Sequence, residues 1–207
     1  MMYPLLFLSL LMLFVFFERL ITYLKRKINA REFLGMLIEL LEKEEMDAAL
    51  DLCEKTKGPV ANVLHEGLTK YTDLKRISSL KIKAQEKRSM IEKTMEASAT
   101  LELSSLEKGL VWLATIVALA PIFGFTGTVT GMIGAFSSLA ETGLGDPTIV
   151  ASGISEALVS TATGLIVAAP ALIMYNFFMN FVDRFTAEIQ ETSSVLTEVL
   201  EEMELGK

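Results

Sequence analysis

The chain has 207 residues, of which 51% are hydrophobic, and its mean hydropathy is +0.44. This composition is too apolar for an ordinary soluble domain and indicates a protein that has the lipid bilayer as its solvent. The formal net charge of −7 arises mostly from an acidic carboxyl-terminal tail, so nothing in the charge pattern indicates nucleic-acid binding.

Three stretches of the chain are apolar over ~20 residues or more, the length that a helix needs to cross the bilayer. They are residues 4–24, 110–139 and 148–182. The first could be a cleaved signal peptide, but no basic residue precedes its apolar run and no A-x-A-like site follows it, so a retained helix is the better interpretation. Glu18 and Arg19 in this span are expected near the membrane interface, where their side chains can reach water.

The spans divide the chain into six segments. They are a first transmembrane helix (1–24), a cytoplasmic helical domain (25–108), a second transmembrane helix (109–139), a short outer loop (140–147), a third transmembrane helix (148–182) and an acidic cytoplasmic tail (183–207). Sixteen of the 19 Lys and Arg residues fall within 25–108 and none within 140–147. Because segments rich in Lys and Arg stay in the cytoplasm, the amino terminus is predicted outside and the carboxyl terminus inside.

Hydrophobic periodicity in the cytoplasmic segment predicts helices over residues 31–43, 46–55 and 60–71, with a break at Lys57-Gly58-Pro59. A further helix is predicted from an N-cap at Asp73, with an apolar face made of Ile77, Leu80, Ala84, Ile91 and Met95. Because this stretch has no Gly or Pro before Gly109, the helix is expected to run on into the second span.

Two residue types that often carry chemistry occur once each, as Cys53 and His65. A single cysteine excludes an intrachain disulfide, and neither residue has partners at metal-ligand spacing. We interpret both as ordinary packing or surface residues. The sequence also has no nucleotide-binding loop and no nucleophile elbow, so an enzyme is not indicated.

Small residues form a stripe on each of the two later spans. The second span carries Gly124, Gly127, Gly131 and Gly134, and the third carries Ala157, Thr161, Gly164 and Ala168. Such stripes let helices approach closely in lipid, which predicts a helix bundle or an oligomer in which Gly127, Gly131 and Gly164 are packing residues.

Asp146-Pro147 is a good start signal for the third span, and Pro121 and Pro170 are candidate kinks.

Glu156 is a carboxylate in the middle of an apolar span. A charge at that depth costs ~2.5–3.5 kcal/mol on insertion scales, so the side chain is expected to face protein or a hydrated cavity. On an ideal helix Ser152, Ser160 and Thr163 fall within about 40° of it, which gives one polar stripe. Counting residues inward from the outer turn puts Thr128 of the second span in the same layer.

Two interpretations of Glu156 remain open at this stage. A neutral carboxyl group could serve only as an interhelical hydrogen-bond partner. Alternatively, because removal from water favours the neutral form of a carboxylate, the group could exchange a proton and change its charge, as residues of ion paths do. The proton-exchanging interpretation is preferred.

The two later spans resemble the ExbB/TolQ/MotA proton-channel family, and the ExbB/TolQ branch in particular. The resemblance is carried by GFTGTVTGMIGAF at residues 124–136 and by ASGISEALVSTATGLIVAAPALIMYN at residues 151–176. It implies an all-α membrane protein of the bacterial inner membrane, with three transmembrane helices, long cytoplasmic helical extensions and a periplasmic amino terminus. It also implies assembly as a ring-shaped homo-oligomer, with a pentamer expected, embedded in membrane lipid.

The resemblance further implies partners and residue roles. The ring would surround a single-span ExbD/TolR-like protein that supplies an aspartate, and would use the proton motive force to energise a TonB- or TolA-like protein. Glu156, Thr128 and Thr161 would line the ion path, with Ser152 and Ser160 on the same polar stripe, and protons would be the coupling ion without any other cofactor.

Some positions depart from the family's pattern: Phe125 and Thr126 stand where leucines are commoner in the family, and Ala169 stands where isoleucine is frequent. Thr161 also lies about 140° from Glu156 on an ideal helix, so it is either a packing residue or reaches the path from a kinked helix or a neighbouring subunit.

A non-conducting membrane scaffold is the alternative function. A transporter that carries its own solute comes third, because three spans with one buried charge offer little substrate site.

Overall fold

The computed structural model describes residues 2–26, 29–76, 83–142 and 147–205, and the regular elements in these ranges are all α-helices. They are α1 (Met2–Arg26), α2 (Ala30–Glu42), α3 (Met46–Lys55), α4 (Pro59–Arg76), α5 (Ala84–Glu107), α6 (Leu110–Thr142) and α7 (Pro147–Leu205). Three stretches, Met2–Glu42, Leu110–Ala140 and Val150–Met203, are long and apolar enough to cross a membrane. The predicted all-helical class with three apolar spans is therefore confirmed.

The chain forms two compact units. The first unit consists of Met1–Ile21 and Gly109–Met179, and the second of Thr22–Lys108 and Asn180–Lys207. The first unit contains the most apolar parts of α1, α6 and α7, and we call it the membrane unit. The second contains α2 to α5 with the carboxyl-terminal part of α7, and we call it the helical unit.

Apolar side chains hold α1 in the membrane unit. Phe178 of α7 is fully buried, and its ring lies 5.7 Å from that of Phe16. Many other large apolar side chains of this unit, such as Phe14 and Ile166, are exposed. Exposed apolar side chains on spans of this length are what a bilayer or a neighbouring helix would cover.

Arg19 is more covered than its neighbour Glu18, and the predicted position of both side chains near the membrane interface stays a prediction. Its Nε donates a hydrogen bond to Glu18 Oε2 at 2.6 Å, and the Arg19 side chain is 15% exposed whereas that of Glu18 is 42% exposed. Arg19 packs so tightly against Gly109 that a Cβ at this glycine would overlap the guanidinium group. The glycine therefore makes room for the charged pair beside the start of α6.

The helical unit has a continuous apolar core. Its buried members are Ala30, Phe33, Leu37, Leu41, Ala49, Cys53, Val60, Ala61, Val63, Leu64, Leu68, Tyr71, Leu74, Ile91, Met95, Ile189, Leu196 and Leu200. The predicted helix over 46–55 is confirmed with the same bounds, and that over 31–43 with bounds shifted by one residue. The break before Pro59 is also confirmed, since α4 begins at this proline, whose missing N–H costs nothing at a first helical position.

Asp73 was wrongly predicted as an N-cap, because it lies inside α4. The apolar face of α4 continues through Leu68, Tyr71 and Leu74, which are buried at spacings of three, so the helix extends to Arg76. Ile77 and Leu80 lie outside the described residues.

Of two further predictions about helix ends, one is wrong and one is confirmed. The helix expected to run unbroken into the second span is interrupted, since α5 ends at Glu107 and a turn at Lys108 and Gly109 precedes α6. In contrast, α6 and α7 continue past Pro121 and Pro170. The third span begins at Pro147 as predicted, while Asp146, its predicted N-cap, lies outside the described residues.

Candidate functional site

The helices α6 and α7 pack closely along a line of small residues, which we call the glycine seam. A Cβ on Gly164 would lie 2.6 Å from the carbonyl oxygen of Ala120, and one on Gly124 would lie 3.1 Å from that of Ser160. These distances leave no room for a side chain at Gly164 and almost none at Gly124. Backbone contact of this kind is how helices associate in lipid, where apolar burial gives no net gain.

The seam continues towards the turn between the two helices. A Cβ on Gly131 would lie 2.8 Å from Cβ of Ala157, and one on Gly153 would lie 2.7 Å from Cβ of Ala135. Gly153 and Ala135 were missed by the sequence analysis. Each is a small residue four positions from another member of the seam, so the small-xxx-small spacing could have indicated them.

The predicted stripe of the second span is only partly a packing face within one chain. Gly124 and Gly127 are buried and Gly131 is half-buried, whereas Gly134 is exposed and a Cβ there would meet nothing within 4 Å. The predicted members of the third span are all covered, with Ala157, Gly164 and Ala168 buried and Thr161 half-buried.

Two hydroxyl groups meet inside the seam. Thr161 Oγ1 donates to the carbonyl oxygen of Gly124 at 3.1 Å, and Thr128 Oγ1 lies within hydrogen-bonding contact of Thr161 Oγ1. Thr128 Oγ1 also lies 3.2 Å from the carbonyl oxygen of Ala157. Each hydroxyl has one proton to donate, and a relay from Thr128 to Thr161 to Gly124 satisfies both. The pair joins α6 to α7.

Glu156 and Ser152 are exposed on the side of α7 that does not form the glycine seam. Glu156 is the only charged residue of the chain between positions 147 and 182. The predicted polar stripe is divided in the folded chain, because Ser160 is 7% exposed and Thr163 is half-buried while Glu156 points away from the seam. Ser160 Oγ lies 3.5 Å from the backbone oxygen of Glu156, at the limit of a hydrogen bond.

The carboxylate and the two threonines share a level but not a face. Thr128 contacts the carbonyl of Ala157, the residue after Glu156, so Thr128 and Glu156 lie in one layer. Thr161 faces α6 while Glu156 is exposed, as their separation of about 140° on an ideal helix predicts. One chain alone therefore does not bring the three side chains around a common path.

The other candidates lie in the helical unit. Cys53 is 1% exposed within the core, and burial raises the pKa of its thiol to about 12. His65 is half-buried on α4 and lines a cavity with Asn62 and Glu66. Across the described ranges, no three His, Cys, Asp or Glu side chains are grouped so that they could hold a metal ion.

A protein-family model matches most of the chain, including the parts of the helices α6 and α7 that form the seam. The model of the MotA/TolQ/ExbB proton channel family matches residues 55–191, which includes all of α6 and the membrane part of α7. The chain belongs to this family. The matched region contains Glu156 and both threonines of the seam.

Similar family members come from several bacteria. An ExbB-like biopolymer transport protein of Synechocystis sp. is 31% identical over 205 residues, which cover 96% of this chain and 76% of that protein. The biopolymer transport protein ExbB of Pseudomonas putida is 30% identical over 79% of this chain, which spans about half (49%) of that longer protein. The Tol-Pal system protein TolQ of Haemophilus influenzae is 33% identical over 62% of this chain and 68% of that protein. These relatives place the chain in the ExbB/TolQ branch of the family.

Proposed function

We propose that the protein is a proton-channel and motor subunit of the bacterial inner membrane. It couples the proton motive force to mechanical energisation of a TonB- or TolA-like partner, and so serves transport across the outer membrane or its integrity. Membership of the family and the ExbB and TolQ names of its relatives support this proposal. A proton falling through the membrane potential releases ~2.3 kcal/mol per 100 mV, which is enough to bias a moving element.

The exposure of Glu156 is the observation that carries the proposal. In a single chain the Glu156 side chain is exposed, although it lies within one of the apolar spans. Facing it towards lipid would cost ~2.5–3.5 kcal/mol, so another helix or a hydrated pore has to cover it. A path that only the assembled complex closes meets this requirement.

The assembly that we propose is a homo-oligomeric ring, with five subunits expected. The ring surrounds the membrane helices of a single-span ExbD/TolR-like protein, whose aspartate carries protons through the pore. Glu156 and Ser152 face this pore from α7, where both are already exposed in one chain. The amino terminus lies in the periplasm and the carboxyl terminus in the cytoplasm, following the distribution of Lys and Arg.

Thr128, Thr161 and Ser160 act differently from Glu156 in this proposal. They lie at or beside the glycine seam, at the level of the carboxylate but at a different face of α7. They hold the backbones of α6 and α7 in register. The hydroxyl groups of Thr128 and Thr161 can also donate or accept a hydrogen bond when the pore is hydrated. Protons are the only coupling species, and no bound cofactor is required.

The test of the function is Glu156→Gln, which removes the titratable charge and keeps the size of the side chain. We expect the complex to assemble normally and to lose proton flux in proteoliposomes that also contain the single-span partner. Glu54→Gln on α3 is the matched control, since it removes one exposed carboxylate outside the membrane unit. Wild-type flux in Glu156→Gln, with unchanged oligomer size, would show that Glu156 is not the proton site. Absence of flux from the wild-type complex itself would favour the non-conducting scaffold instead.

A further inference from the structure

A groove with a cavity volume of about 510 Å³ runs between α5 and the carboxyl-terminal part of α7 in the helical unit. Buried Met95 and Ile189 and the partly buried Leu103 give it an apolar floor. Exposed Thr100 and Gln190 form polar walls. The groove thus has the amphipathic lining into which one face of a helical peptide can fit.

The charge of the groove is negative. Glu92 and Glu96 line it, and no Lys, Arg or His does. Arg88 donates to Glu92 at 2.9 Å and compensates this carboxylate in part, whereas Glu96 makes no ion pair within the ranges that the structure describes. The surroundings are also acidic, because α7 after residue 182 carries six described acidic side chains and one cation. They are Asp183, Glu188, Glu191, Glu198, Glu201 and Glu202, with Arg184 as the cation.

A buried hydroxyl group in the lining has no partner. Ser193 Oγ is inaccessible to solvent and makes no hydrogen bond to any part of the chain that is described. A buried polar atom of this kind is destabilising until a partner reaches it. Because this atom is inaccessible, the choice of occupant rests on the charge and the apolar floor of the groove.

We propose that the groove binds a positively charged amphipathic segment from the cytoplasmic end of a membrane-spanning partner. Cytoplasmic ends of membrane helices are rich in Lys and Arg, which complements the carboxylates of the groove. Thr186, at one end of the groove, follows the predicted end of the third span by four residues in the chain. The inference rests on the proposed function for the orientation and for the existence of a single-span partner.

The carboxyl-terminal part of α7 from a second copy fits the groove less well. Residues 183–207 carry seven acidic residues and two cations, and like charges across an interface disfavour association. A basic segment meets the opposite sign and the same apolar floor.

The test measures binding of a labelled synthetic peptide to the purified oligomer by fluorescence anisotropy. The peptide is an amphipathic helix of about four turns, with Lys on one face and Leu on the other. The protein is held in nanodiscs of zwitterionic phosphatidylcholine, so that the bilayer itself does not attract the peptide. A peptide with Glu in place of Lys is the negative control.

Two variants alter the groove, and each has a matched control. Thr100→Trp fills the groove from an exposed wall position, while Ala97→Trp places the same side chain on an exposed position of α5 that does not line it. Glu96→Gln removes a lining carboxylate, while Glu54→Gln removes one from α3. We expect Thr100→Trp to abolish saturable binding and Glu96→Gln to raise Kd about two- to fivefold, as for an exposed charge pair. Both controls should bind like the wild type.

Several outcomes would overturn the inference: absence of saturable binding, equal loss in the controls, or equal affinity in all variants. A changed oligomer mass in Thr100→Trp would show that a second copy fills the groove and would also overturn it. Glu156→Gln keeps the groove intact and should bind the peptide with wild-type affinity. The peptide-binding assay can therefore contradict the groove proposal without contradicting the proposed function, and the proton-flux assay can do the reverse.

Discussion

At the scale of single residues, Cys53 shows how burial controls chemistry. The side chain is 1% exposed in the core of the helical unit, and desolvation raises its pKa to about 12. The thiolate is the reactive form of cysteine, so at pH 7 to 8 the folded protein presents an unreactive neutral thiol.

We therefore predict that Cys53 in the native protein does not react with a maleimide at neutral pH. It should react fully once the helical unit is unfolded in guanidinium chloride. Counting modified protein by mass spectrometry before and after unfolding checks this. Fast labelling of the native protein would show that the α3 region opens readily.

The hydroxyl pair of Thr128 and Thr161 leads to a second residue-scale prediction. Both side chains contact across the glycine seam, so Val in place of either one removes a shared hydrogen bond while keeping the shape. Interhelical hydrogen bonds in membranes average ~0.6 kcal/mol. We expect Thr128→Val and Thr161→Val each to lower the free energy of unfolding by about this amount, and the double variant to lose less than the sum.

A double-mutant cycle in detergent, with unfolding followed by circular dichroism, measures the coupling. Thr130→Val is the control, because Thr130 is exposed and its hydroxyl bonds only to its own helix. Strict additivity of the Thr128 and Thr161 effects would contradict a direct pair.

At the scale of the elements, the glycine seam sets the distance between α6 and α7. Gly164→Ala would place a Cβ 2.6 Å from a backbone oxygen that cannot move aside easily. Overpacking costs ~1–3 kcal/mol, and we predict a loss of thermal stability of this size. Gly134→Ala is the matched control, since a Cβ there meets nothing within 4 Å and Ala favours a helix over Gly.

Thermal unfolding of both variants under the same detergent conditions is the measurement. Equal stability of Gly164→Ala and the wild type would mean that the two helices are packed less closely than the structure shows. The comparison is informative because both substitutions are the same chemical change in two transmembrane helices of one chain.

At the scale of the whole molecule, the exposed face of α7 predicts assembly. Glu156 and Ser152 on this face need a cover within the membrane, which a single chain does not supply. We predict that the protein purifies in mild detergent as a closed homo-oligomer larger than a dimer. Native mass spectrometry that detects monomer alone would contradict this.

The orientation in the membrane is a separate whole-molecule prediction. A cysteine introduced at exposed Ala140, beside the loop that is predicted to be outside, should react with an impermeant maleimide added to intact cells stripped of their outer membrane. One at exposed Ala97 on α5 should not react until the inner membrane is permeabilised. Cys53 need not be removed for this measurement, because it is buried. The reverse labelling pattern would invert the proposed topology.

The features that depend on local composition and period were predictable without the structure. Three apolar stretches predicted the three candidate spans, and the period of apolar residues predicted α2 and α3 to within a residue at each end. Glu156 was identifiable because a carboxylate in an apolar run is costly wherever the chain folds. The small residues of α6 and α7 indicated a close helix contact, and most of them form it.

Which of these residues contact each other depends on how the helices pack in the folded chain. The register between antiparallel α6 and α7 puts Gly153 against Ala135 and leaves Gly134 open, and it pairs Thr128 with Thr161 on the face opposite to the exposure of Glu156. The burial of Arg19 against Gly109 also joins positions far apart in the chain. Local periodicity states which side of a helix is small or polar, but the register between two helices is fixed by contacts between distant segments, and no local pattern contains it.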